Sequence, residues 1–433
     1  MQQILRSRII WGALSRNSTL RSQSFFHSSS RSHFRFTRNL RNEVRNEVPS
    51  FRQKAGPEIH QDAFTEKLGR PGCRNQILFV AFGTLIAVSY AAQRTNIETE
   101  YWKKKLNAVS ASWMSAAVTT LDIKRAQQAE FIKKLRDTFT NANNALLQLP
   151  PIFRTWAAGG LVAILQPWVD ASEGKRLCWK ICMLNAAVWV AWKIPRWQPA
   201  MAVRFMHNPL SGLSYTLLTS MFSHRGLLHL IMNCLALEGF GSAAYFFLVR
   251  EQGKQEPPML ESTASFHFLS FFVSAGLFSG LVSHVVSTRF RYPRLVAQLA
   301  TETHKAKKVD TWAAAVSASS GAATAAVAKK TIPDILPSLG ASGAIYSTVV
   351  VTALAFPDSQ IALFIPPSYP INIQWGVGGL VLMDTIGILR GWRVFDHWAH
   401  LGGALFGLAY YTYGPRTWHA FRQALEVEMP NTQ

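Results

Sequence analysis

Three short stretches of this 433-residue chain carry polar groups of the kinds that perform acyl transfer. In Gly340–Ala341–Ser342–Gly343–Ala344 the serine opens an apolar run after Pro333 and Pro337. A helix that begins there leaves backbone N–H groups and the positive end of its dipole beside the hydroxyl. That setting suits a nucleophile whose product is an oxyanion. The hydrolase elbow G-x-S-x-G is rejected, because a glycine follows Ser342 at once and no strand precedes it. Taken alone, Ser342 reads as a helix N-cap. The second stretch is Ala399–His400–Leu401–Gly402–Gly403, leading to Gly407. His400, Gly403 and Gly407 fall on one helical face, so a base there could come close to a neighbouring helix. An interfacial histidine is the plain alternative. In the third stretch, His229 and Asn233 are i, i+4 neighbours, with His224 five residues earlier. Both side chains can donate hydrogen bonds to a developing negative charge, or simply bond across helices.

The surrounding elements read as membrane helices. Residues 76–92 carry no charge over 17 positions, the lower limit for a span, and Arg74 and Arg94 flank them. Residues 93–150 are polar and helical in pattern, and Pro150–Pro151 ends them. Residues 157–169 are apolar but short, interrupted by Pro167, and suit an interfacial helix. From Leu177 onward the expected spans are 177–194, 227–248, 264–287, 342–356, 371–389 and 400–413. Several are short and dotted with polar residues, which predicts a bundle with a hydrated interior. Gly276 with Gly280, and Gly403 with Gly407, are GxxxG pairs that permit close helix contact. Residues 289–337, with an Ala/Ser-rich centre, read as a long connection.

Charge separates the N-terminus from the rest. Residues 1–50 hold nine arginines and two glutamates, and no acid precedes Glu43. An Arg- and Ser-rich, acid-poor start reads as a mitochondrial presequence, whose partner is the import machinery; a basic tail is the alternative. The net charge of +21 does not point to nucleic acid, because no RNP, zinc-finger or basic-zipper pattern accompanies it. Charged residues at 16% and aromatics at 12% argue against disorder, and four scattered cysteines argue against a disulfide scaffold.

Taken together and in order, the three stretches resemble the rhomboid intramembrane serine proteases. The resemblance rests on Ser342 in G-A-S-G-A, Tyr346 four residues on, His400 in A-H-L-G-G-A-L-F-G, and H-x-x-x-N at His229/Asn233. It covers about 176–414. The presequence, the preceding span and the run Phe395–His400 resemble the mitochondrial, presenilin-associated branch; the long 291–336 insertion resembles its fungal members. The Trp-Arg pair that bacterial rhomboids often carry in the first loop does not occur in 195–219.

The resemblance implies an all-α polytopic fold, with a six-helix rhomboid core and one extra N-terminal transmembrane helix. It implies a presequence and linker over 1–60, an N-terminal helix and polar region over 61–175, the core over 176–414 and a tail over 415–433. Ser342 would attack the scissile carbonyl and His400 would act as base and acid, a dyad without a cofactor. His229 and Asn233 would hold the oxyanion. Tyr346, Gly340, Gly343, Gly403 and Gly407 would support the dyad. Partners would be the lipid bilayer of the mitochondrial inner membrane and single-span substrates, such as a dynamin-related GTPase or cytochrome c peroxidase. A catalytically inactive relative that binds and retains other spans is the alternative.

Three residue readings stand beside that assignment. Asp396, four residues before His400, could be read as the acid of a triad; its position beside Arg390 and Arg393 favours a solvated ion pair instead. Asp396, His397 and His400 have helical metal-ligand spacing, but no metal is expected, and H-E-x-x-H does not occur. Asp384 and Glu238 lie within expected spans and read as buried hydrogen-bonding groups, Glu238 as a further candidate for lining the water cavity. Cys73, Cys178, Cys182 and Cys234 read as inert buried thiols.

Overall fold

A computed structural model describes residues 71–110, 117–299, 335–362 and 368–426. The presequence reading on residues 1–60 and most of the 291–336 insertion lie outside them. The regular structure of the described residues is helical apart from one two-stranded ribbon, Gln360–Ile361 against Ile371–Asn372, and an isolated bridge between His207 and Ser338. Its main helices are α1 (Arg74–Ser110), α2 (Thr120–Leu146), α3 (Pro151–Asp170), α4 (Glu173–Lys193) and α5 (Leu227–Gln252). They are followed by α6 (Ser265–Leu299), α7 (Ser342–Ala355), α8 (Ile373–Arg390) and α9 (His397–Ala424).

Local chemistry sets most of these ends. Thr119 and Asp122 form a reciprocal capping box at the start of α2. Asn372 caps α8, which stops at Gly391 in the left-handed conformation, φ 68°. Asp396 caps α9 by accepting from the Ala399 N–H at 3.2 Å. α5 and α6 each pass through a wide turn, at Leu237–Gly241 and Ser287–Arg291.

Three boundaries correct the sequence reading. α6 does not end near 287 but runs to Leu299, because Arg289, Arg291 and Arg294 end the apolar run without ending the helix. Pro167 does not interrupt α3, whose last turn closes with Ala171 N–H on the Pro167 carbonyl at 3.0 Å. α9 continues through Pro415 to Ala424, so residues 415–424 belong to a core helix, and Trp418 and Arg422 are each 1% exposed. Arg422 Nε donates to Asn96 Oδ1 at 2.9 Å, tying that end to α1.

The interior lies among α4, α5, α6 and α7, around Phe247, Phe268, Phe271, Phe272, Leu237 and Val349. α1 clasps this bundle from outside. Its Val80 meets Leu217 and Leu277, and its Ala91 and Ala92 meet Trp418. The outward side chains of α1, among them Phe82 and Ile86, are exposed, as on a helix that lipid covers. By length and composition, three described helices can cross a membrane: Arg74–Ala108, Leu227–Gln252 and Ser265–Leu299. α4 makes a fourth if counted with the short helices it meets at a 97° bend. α7 has 14 residues, or about 21 Å, shorter than a bilayer core of about 30 Å.

Candidate active site

Ser342 is delivered by a pinned loop. His207 and Ser338 exchange backbone hydrogen bonds at 2.9 Å in both directions, and Gly340 N–H donates to the Ser220 carbonyl at 2.9 Å. The His224 imidazole, pushed down to about 4 first by burial and then by neighbouring His229, is neutral, so its Nε2 can accept from Ala341 N–H at 3.5 Å. Gly340 has φ +129°, and a Cβ there would lie 2.8 Å from the His229 ring. Only glycine meets both conditions. The chain then turns into α7 at Ser342.

α9 brings the second group. Ser342 Oγ lies 2.9 Å from His400 Nε2. That approach depends on helices packed backbone to backbone. A Cβ on Gly403 would sit 2.0 Å from the Gly343 carbonyl oxygen, and one on Gly407 would sit 2.6 Å from the Ser347 carbonyl oxygen. Gly343 makes room in the same way for Ser279 of α6. Ser347 Oγ donates to the Gly403 carbonyl at 2.7 Å and locks the seam. The Tyr346 ring stacks on His400, with centroids 4.7 Å apart and planes 12° apart.

The other nitrogen of His400 meets a group that the sequence reading left without a partner. His400 Nδ1 is 3.1 Å from Oδ1 of Asp384, which is fully buried on α8. His397 Nδ1 lies 2.5 Å from the same oxygen, and the Tyr346 hydroxyl donates to Oδ2. Asp384, His397 and His400 offer ligand atoms within 4.8 Å of one another, so the acid of this cluster is Asp384 and not Asp396. Asp396 faces elsewhere: its Oδ2 accepts from Ser283 Oγ at 2.6 Å and its Oδ1 caps α9. The signal for Asp384 was present in the sequence, since an acid in an apolar span costs about 2.5–3.5 kcal/mol on insertion scales. Its partners were not, because they come from two other helices.

A cavity of about 770 Å³ opens at this point, lined by Ser342, His400, His229 and Ser283, with Trp392 and Phe395 above. Arg291 and Arg294 reach its wall from the polar end of α6. Of the two expected oxyanion donors, the structure brings His229 to the cavity. Asn233 is buried and its amide donates to the His229 carbonyl at 2.8 Å, back along its own helix. Glu238 does not line this cavity; it pairs with Lys175 at 2.9 Å. The four cysteines are free thiols, and Cys73 and Cys178 are buried. A hydroxyl facing an imidazole beside a cavity is an arrangement able to activate that hydroxyl for attack on a carbonyl.

Residues 212–416 match the family described as Rhomboid domain. This chain carries a rhomboid domain. The rhomboid match takes in α5, α6, α7 and α8 whole, and α9 as far as Arg416. Similar proteins include the mouse and human forms of "Presenilin-associated rhomboid-like protein, mitochondrial", each 30% identical over 248 residues, which is 57% of this chain. "Rhomboid protein 1, mitochondrial" of Saccharomyces cerevisiae is 24% identical over 244 residues, 54% of this chain and 52% of its own length. The alignments cover 51% of the mouse protein and 50% of the human one, so the chain spans about half the length of the curated relatives it matches. With these relatives and its apolar helices, it is a mitochondrial rhomboid-like, multi-pass membrane protein.

Proposed function

We propose that this protein is an intramembrane serine endopeptidase of the mitochondrial inner membrane. The observation that carries the reading is the 2.9 Å approach of Ser342 Oγ to His400 Nε2 beside a cavity of about 770 Å³. In the proposed reaction His400 takes the Ser342 proton as the oxygen attacks the scissile carbonyl. The tetrahedral oxyanion is held by the N–H groups of the first turn of α7 and by His229, with Asn233 joining if its amide leaves the His229 carbonyl. His400 then gives its proton to the leaving amine, and a cavity water hydrolyses the acyl-enzyme by the same route reversed. The short α7 supports a site below the membrane surface, with water reaching it through the cavity.

The substrates in this reading are single-span membrane proteins. A scissile peptide inside an intact helix is blocked by its neighbouring turns, so cleavage falls where the helix is weak. A dynamin-related GTPase and cytochrome c peroxidase are the candidates that the family resemblance suggests. The test is cleavage of a single-span reporter in proteoliposomes by the full chain and by Ser342→Ala. The variant is expected to be folded and inert, and a fluorophosphonate probe is expected to label the wild type at Ser342 only. Cleavage by folded Ser342→Ala would overturn the assignment.

A further inference from the structure

Asp384 is a carboxylate with no exposure to solvent, set in an otherwise apolar stretch of α8. A buried carboxylate persists where donors surround it. Here three side-chain donors converge on it: His400 Nδ1 at 3.1 Å and His397 Nδ1 at 2.5 Å on Oδ1, and the Tyr346 hydroxyl on Oδ2. They come from α7 and α9, the two helices that carry the reacting hydroxyl and imidazole. We propose that Asp384 is the positioning acid of this site: it fixes the ring plane and tautomer of His400, while His397 and Tyr346 hold the carboxylate in place. The proposal rests on the serine-protease reading above.

The chemistry follows from the donor count. An ionised carboxylate only accepts, so the imidazole nitrogen facing it carries the proton. A neutral imidazole has one N–H; with that proton on Nδ1, the Nε2 lone pair of His400 faces the Ser342 hydroxyl at 2.9 Å. When His400 takes the Ser342 proton, the imidazolium faces a full negative charge, and both protons remain on the ring until Nε2 releases one to the leaving amine. The stacked Tyr346 ring prevents the imidazole from tilting while its hydroxyl anchors Oδ2, so one residue fixes both partners. Asp396 does not serve in this way: His400 Nδ1 faces Asp384 and Nε2 faces Ser342, while the Asp396 oxygens accept from Ser283 and the Ala399 N–H.

Two substitutions separate charge from acceptor. Asparagine at 384 can keep its oxygen toward the two imidazoles and turn its NH₂ to the Tyr346 hydroxyl, which can rotate to accept; it removes the charge and spares the tautomer. Alanine removes the acceptor altogether. In proteoliposomes with a single-span reporter, Asp384→Ala is expected to lower kcat by a factor on the order of 10²–10⁴, with KM unchanged. Asp384→Asn is expected to fall between it and the wild type. Thermal unfolding in detergent reports folding. If Asp384→Ala does not fold, the asparagine variant decides: a drop in kcat of more than about fivefold at constant KM supports the proposal, and anything less overturns it. A further readout isolates the route. In a His400→Ala background, Asp384→Asn is expected to leave the residual rate of fluorophosphonate labelling unchanged, because the acid acts only through that ring; an added loss overturns the positioning role. A folded Asp384→Ala that cleaves within about tenfold of wild type also overturns it. Cleavage by Ser342→Ala would instead remove the protease reading, whereas an inert Ser342→Ala beside a fully active Asp384→Ala removes the role of Asp384 alone.

Discussion

The seam between α7 and α9 and the facing end of α5 are built on opposite principles. Along the seam, Gly403 and Gly407 let backbones touch, and side chains such as Ser347 and Tyr346 are buried. At the start of α5, Leu227, Leu228, Ile231 and Leu235 are exposed, and His229 is only half-buried. The seam therefore fixes the Ser342–His400 distance before any substrate arrives. The α5 side is unfinished: His229 reaches the cavity, but Asn233 does not line it, and its amide donates to a carbonyl of its own helix. In the proposed reaction, packing, which does not depend on substrate, would preset the proton transfer. The charge that develops later would face the more open wall.

The largest effects should come from the seam itself. His400→Ala, like Ser342→Ala, is expected to reduce kcat by about 10⁶, since serine and histidine act as one unit in such chemistry; single-turnover cleavage assays would measure it. A less direct break is Gly403→Ala, whose Cβ would lie 2.0 Å from the Gly343 carbonyl oxygen. The helices must separate, and misplacing reacting groups by about 1 Å costs on the order of 10²-fold in rate. The same overpacking should cost about 1–3 kcal/mol of stability, seen as a lower unfolding midpoint in detergent. Gly378→Ala on α8 is the control, because nothing lies within 4 Å of its Cβ position. Equal activity of the two alanine variants would show that close approach does not set the geometry.

How much of this could be read from the chain follows the same division. The seam was legible because it is local and periodic: Ser342 with Tyr346 at i+4, and His400 with Gly403 and Gly407 on one face. The helices themselves were legible from hydropathy, and their true ends were not. Hydropathy falls at Arg289 and after residue 413, whereas backbone hydrogen bonding continues to Leu299 and Ala424. Asp384 was visible as an expensive residue without a purpose. Its meaning needed α8 to be laid beside α7 and α9, with Tyr346 38 positions away in the chain. The partner that the Asn233 amide takes here was not foreseen, for a simpler reason. The i, i+4 spacing that puts it beside His229 also puts it within reach of the His229 carbonyl.

The open wall should show smaller effects. His229→Ala is expected to lower kcat by about 10²-fold, the cost of one oxyanion donor, with KM little changed. Asn233→Ala should cost about tenfold, because its amide must first leave its backbone acceptor and helix N–H groups share the load. Steady-state kinetics on one reporter would rank the two. An Asn233 effect larger than that of His229 would mean that the amide swings into the cavity when substrate binds, and that this wall is completed rather than merely open.

The smallest effect is expected at Asp396, and it sharpens the comparison most, because this acid lies four residues from His400 on the same helix. Its Oδ1 accepts the Ala399 N–H and its Oδ2 accepts the Ser283 hydroxyl, so it joins α9 to α6 at the cavity mouth. Asparagine caps helices about as well as aspartate, and a hydroxyl can turn to accept from its NH₂. Asp396→Asn should therefore stay within about tenfold of wild-type kcat, well short of the roughly 10⁴-fold loss that follows removal of an orienting acid. Asp396→Ala, which removes the cap, should cost about 1 kcal/mol of stability and little more in rate. The geometric reason is that side chains at i and i+4 run side by side, whereas the His400 ring must reach across to Ser342. Its second nitrogen then points away from its own helix, toward α8, where Asp384 stands. A loss of several thousandfold in folded, membrane-inserted Asp396→Asn would mean that the ring turns the other way in the working enzyme, and that the acid at the mouth outranks the acid in the core.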